Sequence, residues 1–158
     1  MAQDEAVRAQ LVTLLGWEEA HVGFDTAAAG LPADLRGQRP TGFAHSPWEI
    51  VEHLRLAQRD LIDFCVDPNY AAPAWPDDYW PAKPEPPDAE AWDRSLAAFR
   101  ADREALQSFV ADRGRELTAR IPNGTGQTYL RSILLVADHN AYHIGQLVAV
   151  RQALGAWP

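Results

Sequence analysis

The sequence predicts an all-α protein, a four-helix bundle with one long structured loop between its second and third helices. Three observations carry this expectation. Four segments place apolar residues at the three-to-four-residue spacing of a single helix face. Glycine, proline or a capping residue brackets these segments. No useful length of chain alternates apolar and polar residues as a half-buried strand does. Four long amphipathic helices bury their stripes most simply against one another, as a bundle.

The first helix is expected from about Glu5 to Ala29, where Val7, Leu11, Leu14, Leu15 and Val22 keep helical spacing until Gly30-Leu31-Pro32 stops it. The stretch from Pro32 to His45 holds Gly37, Pro40 and Gly42 without a sustained period and reads as a loop. The second helix has the clearest start in the chain. Ser46 can cap it, Pro47 suits the first helical position, and Glu49 completes an S-x-x-E capping box. Ile50, Leu54, Ala57, Leu61 and Phe64 form its apolar stripe, and His53 borders that stripe, so its imidazole can face the interior. Cys65 lies further along the same helix, where a buried thiol acts as a small hydrophobe rather than a nucleophile.

Between Val66 and Pro87 stand Pro68, Pro73, Pro76, Pro81, Pro84, Pro86 and Pro87, a density that no regular helix survives. Loops of this length are uncommon in compact domains. Tyr70, Trp75, Tyr79 and Trp80 argue for a flap packed on the bundle, its aromatics either anchoring it or lining a pocket. A third helix follows from about Asp88 to Asp112, with Trp92, Leu96, Phe99, Leu106 and Phe109 in register and Gly114 ending it. After the turn-forming run Ile121-Pro122-Asn123-Gly124-Thr125-Gly126, the fourth runs from about Gln127 to Ala153. Its stretch Ile133-Leu134-Leu135-Val136-Ala137 is apolar on all sides, which predicts a central helix.

Composition narrows the function classes. A chain of 158 residues fits one domain over residues 1–158 and can bury a real core. Fourteen Lys and Arg against 22 Asp and Glu give a net charge of −8, which repels nucleic-acid backbones and anionic lipid heads. The single cysteine, Cys65, excludes an internal disulfide framework. The first residues lack a basic region followed by an apolar stretch, and no apolar run approaches the ~20 residues needed to cross a bilayer. A soluble protein in a reduced cytoplasm is the expectation.

The chemistry concentrates in histidine. His139 and His143 lie four apart in an apolar helix and so share a face, and His53 can approach from a neighbouring helix. Burying imidazoles costs desolvation unless each nitrogen finds a partner, and one divalent ion satisfies several at once. Two better-known helical metal patterns do not apply. A zincin needs H-E-x-x-H, but Asn140 follows His139. Carboxylate-bridged di-iron bundles need two Glu-x-x-His motifs, and only Glu18-x-x-His21 is present.

The run Ser46-Pro47-Trp48-Glu49-Ile50-Val51-Glu52-His53-Leu54, together with Asp138-His139-Asn140-Ala141-Tyr142-His143-Ile144-Gly145-Gln146-Leu147, resembles the DinB-like superfamily of small metalloenzymes, which includes bacterial thiol-dependent transferases. The resemblance reaches from the first helix to Gly155-Ala156-Trp157. It implies a bundle that often dimerises, with His53, His139 and His143 as the ligands of a nickel or zinc ion. It also implies a low-molecular-weight thiol as possible co-substrate. Three neutral ligands leave coordination positions open for S-transfer to a small electrophile or for hydrolysis, and the residues do not choose between these. A non-catalytic bundle, stapled by metal or free of it and serving binding or dimerisation, stands as the rival. Around the ligands, Glu49 could orient His53, although the capping box already occupies it. Asp138, Tyr142 and Gln146 could hold an imidazole, touch substrate or serve only as bundle hydrogen bonds, and Trp75, Tyr79 and Trp80 are the pocket candidates in the flap. His21 and His45 fall outside the pattern and are expected to be structural or exposed.

Overall fold

A computed structural model describes residues 2–158. Among them, α1 spans Ala2–Leu14, α2 Phe24–Ala28, α3 Pro47–Val66, α4 Ala91–Ala111 and α5 Tyr129–Ala153. Single 3-10 turns lie at Ala33–Leu35 and Asp77–Tyr79, and among the described residues no strand forms beyond an isolated bridge between Arg120 and Thr128. Among the described residues no helix is long and apolar enough to cross a membrane.

The expected first helix is two. The chain leaves α1 after Leu14 and re-enters a helix only at Phe24. Apolar spacing from Leu15 to Val22 suggests continuity, but Gly16 and Gly23 weaken the helix at both ends of that interval. Glu18 then folds back so that its Oε1 accepts from the Gly23 amide and the Thr26 hydroxyl, each at 3.2 Å. A Cβ at Gly23 would stand 2.5 Å from that side chain, so a larger residue there would push the Glu18 carboxylate out of the turn. Val7, expected on the buried stripe, is 44% exposed. Gly30, at φ +67°, ends α2 where the sequence predicts a stop.

The capping box of α3 forms in full. Ser46 Oγ accepts from the Glu49 amide, and Glu49 Oε2 accepts from the Ser46 amide. The stripe drifts along this helix. Ile50, Leu54 and Ala57 are buried, but farther on Ile62 and Cys65 occupy the core in place of Leu61 and Phe64. α4 begins at Ala91 rather than Asp88, because Asp88 uses its carboxylate to receive the Glu90 amide in a turn. It ends at the C-cap Asp112, whose side chain receives the Gly114 amide. Thr128 caps α5 by accepting from the Arg131 amide. α5 packs on α1, α2 and α3, although Leu134 in its apolar run is 46% exposed.

Side-chain pairs fix the directions of the helices. Glu52 meets Ser95, Gln58 meets Phe99 and Arg59 meets Asp102, so α3 and α4 run parallel. Arg8 reaches the Val110 and Asp112 carbonyls while Gln107 reaches Val12, so α1 runs antiparallel to α4. Two apolar clusters fill the interior. One gathers Ile50, Leu54, Trp92, Phe99 and Leu147 with Phe24 of α2, and the other gathers Leu11, Ile62, Leu106, Val110, Ile133 and Val136. Each fully buried side chain of this size contributes about 1.5–3 kcal/mol. Gln58 and Asn140 bridge the level between them by an amide hydrogen bond of 2.9 Å.

The parallel pair explains the proline-rich loop. Antiparallel neighbours need only a short turn, but a parallel neighbour requires the chain to travel back along a 20-residue helix, ~30 Å. Residues 67–90 make that return along α3. Tyr70 and Tyr79 both donate to the Asp60 carboxylate, at 2.8 and 2.7 Å. Farther back, the Pro84 carbonyl accepts from Ser46 Oγ at the start of α3. The return path therefore crosses His53.

Candidate metal centre

His53 stands two turns inside α3, and His139 and His143 stand one turn apart on α5. The bundle brings the three rings together. His53 Nε2 lies 3.1 Å from His143 Nε2 and 3.1 Å from His139 Nε2, and one ligand atom from each ring lies within 4.8 Å of the others. His53 is 2% and His143 8% exposed, and His139 is half-buried.

Protonation states follow from the partners. His53 Nδ1 is 2.8 Å from the Tyr79 carbonyl. A carbonyl only accepts, so Nδ1 carries the proton and Nε2 of the neutral ring presents a lone pair. Burial pushes His53 and His143 down to about 4, and the neighbouring imidazoles add to this in both; burial also lowers His139. All three rings are therefore neutral at pH 7. Three neutral nitrogens converging with no carboxylate or thiol in the group is a donor set suited to a first-row divalent ion. The spacing suits one as well: two imidazoles bound at ~2.0–2.1 Å to a common ion, about 100° apart, place their nitrogens roughly 3.1 Å from each other. Direct hydrogen bonding explains the cluster less well. One lone pair on His53 cannot receive two in-line donors, and Asn140 beside His139 and Gln146 beside His143 act on those rings as hydrogen-bonding groups that partly offset the effect of burial.

The flap supplies the surroundings of His53. The Trp80 ring stacks on it at a centroid distance of 3.9 Å with planes 1° apart, and His45 stacks on Trp80 at 3.9 Å. Tyr142, 64% exposed, sets its ring edge to His143 at 4.9 Å, and its hydroxyl accepts from Gln146 Nε2. Other sequence candidates lie elsewhere. The Glu49 carboxylate is taken by the Ser46 amide and by the Arg39 guanidinium. Burial works against its charge, yet these bonds hold the carboxyl below its ordinary value. Asp138 is exposed. Trp75 is 71% exposed and touches the ring of Tyr79, so it belongs to the outer side of the flap and not to a pocket wall. Burial raises the Cys65 thiol to about 11, in keeping with an inert core residue.

Three participants escaped the sequence reading. His45, expected to be structural or exposed, is structural: it packs on Trp80 and buries its Nδ1, a contact with the flap that the sequence did not signal. Asp60 anchors the flap, and its position two turns beyond His53 on the same face was the available signal. Asn140 looked like a mere neighbour of His139, yet it is 7% exposed and bridges to α3.

The fold and site define a class: a helical bundle with three imidazoles converging from two of its helices. The profile of the DinB superfamily matches residues 17–147, most of the chain, and the protein belongs to that superfamily. No curated protein and no solved structure matched the chain.

Proposed function

We propose that the protein is a metal-dependent enzyme acting on a small molecule, as a thiol S-transferase or a hydrolase, with His53, His139 and His143 holding one zinc or nickel ion. The observation that carries this reading is the convergence of three neutral Nε2 atoms in a buried setting. When bound, a divalent ion with three uncharged ligands keeps its full charge, lowers the pKa of a water or thiol beside it toward neutrality, and has positions left for substrate.

The chain's own residues prepare that chemistry. The Tyr79 carbonyl holds the His53 proton on Nδ1, which aims the Nε2 lone pair at the other two rings. Trp80 covers one face of His53 and excludes water there. Tyr142 and Gln146 stand beside His143, positioned to meet a substrate. In the S-transfer version a low-molecular-weight thiol gives its proton to solvent and its sulfur attacks an electrophilic carbon as the bond from that carbon to its leaving group breaks; in the hydrolytic version water attacks the carbonyl of an ester, the ester C–O bond breaks, and the departing alkoxide takes up the proton the water gave up. A homodimer in the cytoplasm, without nucleic-acid or membrane partners, completes the proposal.

The test is metal analysis of protein purified under metal-replete conditions, followed by assay against several low-molecular-weight thiols with a generic electrophile and against simple esters. One equivalent of metal and a thiol- or water-dependent turnover lost in His143→Ala is expected. Absence of bound metal would overturn the site, and stoichiometric metal without turnover on either panel would leave a metal-stapled scaffold. Light scattering reports the oligomeric state, with twice the chain mass expected.

A further inference from the structure

We propose that Asp60 is a positioning residue of the histidine centre: through the Tyr79 hydroxyl it holds the Tyr79 carbonyl on His53, so that ion binding and ordering of the flap form one coupled equilibrium. The coupling rests on the reading of His53, His139 and His143 as metal ligands.

Asp60 follows His53 by seven residues on α3, two turns and ~10 Å farther along the same face. Tyr79 spans that interval. Its hydroxyl donates to Asp60 Oδ2 at 2.7 Å, while its backbone carbonyl accepts from His53 Nδ1 at 2.8 Å. A hydrogen bond to a carboxylate is roughly twice as strong as one between neutral groups, so the hydroxyl end is the stronger anchor of the two.

The turn that carries Tyr79 is tied to itself. The Tyr79 amide donates to the Pro76 carbonyl at 3.1 Å, and the Asp78 carboxylate receives the Ala74 amide at 2.8 Å. Trp80 then leaves the turn in extended conformation and lays its ring on His53, with 3.9 Å between centroids. The turn thus meets α3 at His53 through a carbonyl and an indole, and at Asp60 through a hydroxyl. Releasing the hydroxyl frees the turn to tilt, and the carbonyl that keeps the His53 proton on Nδ1 tilts with it. Without that acceptor the proton can move to Nε2, the nitrogen that faces His139 and His143, and a protonated Nε2 has no lone pair for an ion.

Tyr70 supplies the contrast. It donates to the other oxygen, Asp60 Oδ1, at 2.8 Å, but its ring packs on Phe64, three turns beyond His53. If Asp60 served only to staple the flap, losing either tyrosine hydroxyl would have the same effect on the metal centre. A positioning role separates them.

The experiment measures zinc affinity of the whole chain by competition with a chromophoric chelator, and the nitrogen-15 shifts of the His53 ring in the metal-free protein. Asp60→Ala and Tyr79→Phe should each weaken zinc binding by about tenfold, the double variant no further, and both should move His53 from the Nδ1–H tautomer toward a mixture. Tyr70→Phe should stay within about twofold of wild type and keep the tautomer. Because coupling is reciprocal, zinc should slow proteolysis of residues 67–90 in the wild type by about tenfold as well. Tyr79→Phe, which removes a single oxygen, carries the test should Asp60→Ala fail to fold. Zinc affinity or tautomer unchanged in Tyr79→Phe, an equal loss in Tyr70→Phe, or proteolysis indifferent to zinc would overturn the proposal and leave the metal reading in place. A wild type that binds no zinc would overturn the metal reading and this coupling with it.

Discussion

At the scale of single residues, the decisive quantity is the charge state of three imidazoles. His139→Ala or His143→Ala removes a ligand but only a modest part of the buried apolar surface, so metal retention should fall below stoichiometry while the helical circular dichroism signal is largely kept. Elemental analysis and dichroism on the same sample check both halves. The metal-free protein should also lose stability in acid. In the folded state His53 and His143 take up a proton only near pH 4, whereas unfolded they do so near 6.5. Between those values the unfolded chain binds more protons, so stability decreases as pH falls from about 6.5 toward 4 and is insensitive to these rings above 7. Denaturant midpoints at a series of pH values should slope in that window, and His53→Gln should flatten the slope. An equal slope in the variant would assign the acid sensitivity to other groups. The ligand histidines could be read from the sequence because their spacing repeats a helix turn. His45 and Asp60 could not, because their roles depend on Trp80 and Tyr79, which arrive from a loop without periodicity.

At the scale of elements, the start of α3 and the return loop share a residue. Ser46 is fully buried; its Oγ accepts from the Glu49 amide and donates to the Pro84 carbonyl. Ser46→Ala removes a cap and orphans a carbonyl in one step, and should cost about 2 kcal/mol, the upper end for N-caps, by chemical denaturation. A cost below roughly 0.5 kcal/mol would show that water replaces both bonds. The middle of the loop hangs on Asp60. Asp60→Ala leaves two tyrosine hydroxyls without their acceptor and should make residues 67–90 the first site of limited proteolysis, with the helices still intact. The capping box was legible because it is local in sequence. The break between α1 and α2 was not, because apolar spacing continues across it and the turn is closed by Glu18 folding back on Gly23.

At the scale of the whole molecule, stability resides in two apolar clusters, and the long helices hold both. Leu147, with no exposed surface, belongs to the cluster that supports the imidazole end of α3 and α5. Leu147→Ala should cost about 2–5 kcal/mol in global unfolding, depending on how far the cavity collapses. α2 is docked by the stacked rings of Phe24 and Phe99, 3.8 Å apart, and by Arg151, which donates to the Ala27 carbonyl. Helix packing and loop path together set where His53 meets α5.

The sequence alone determined that the chain is helical, where α3, α4 and α5 lie, and which three imidazoles could meet, since periodicity, caps and i,i+4 spacing are local properties. Only the tertiary structure decided that α3 and α4 run parallel, that the proline-rich segment must therefore travel back past His53, and that Tyr79 meets the ring with its backbone carbonyl and not its hydroxyl. Those outcomes depend on contacts between residues 26 to 90 positions apart, for which a one-dimensional pattern carries no register.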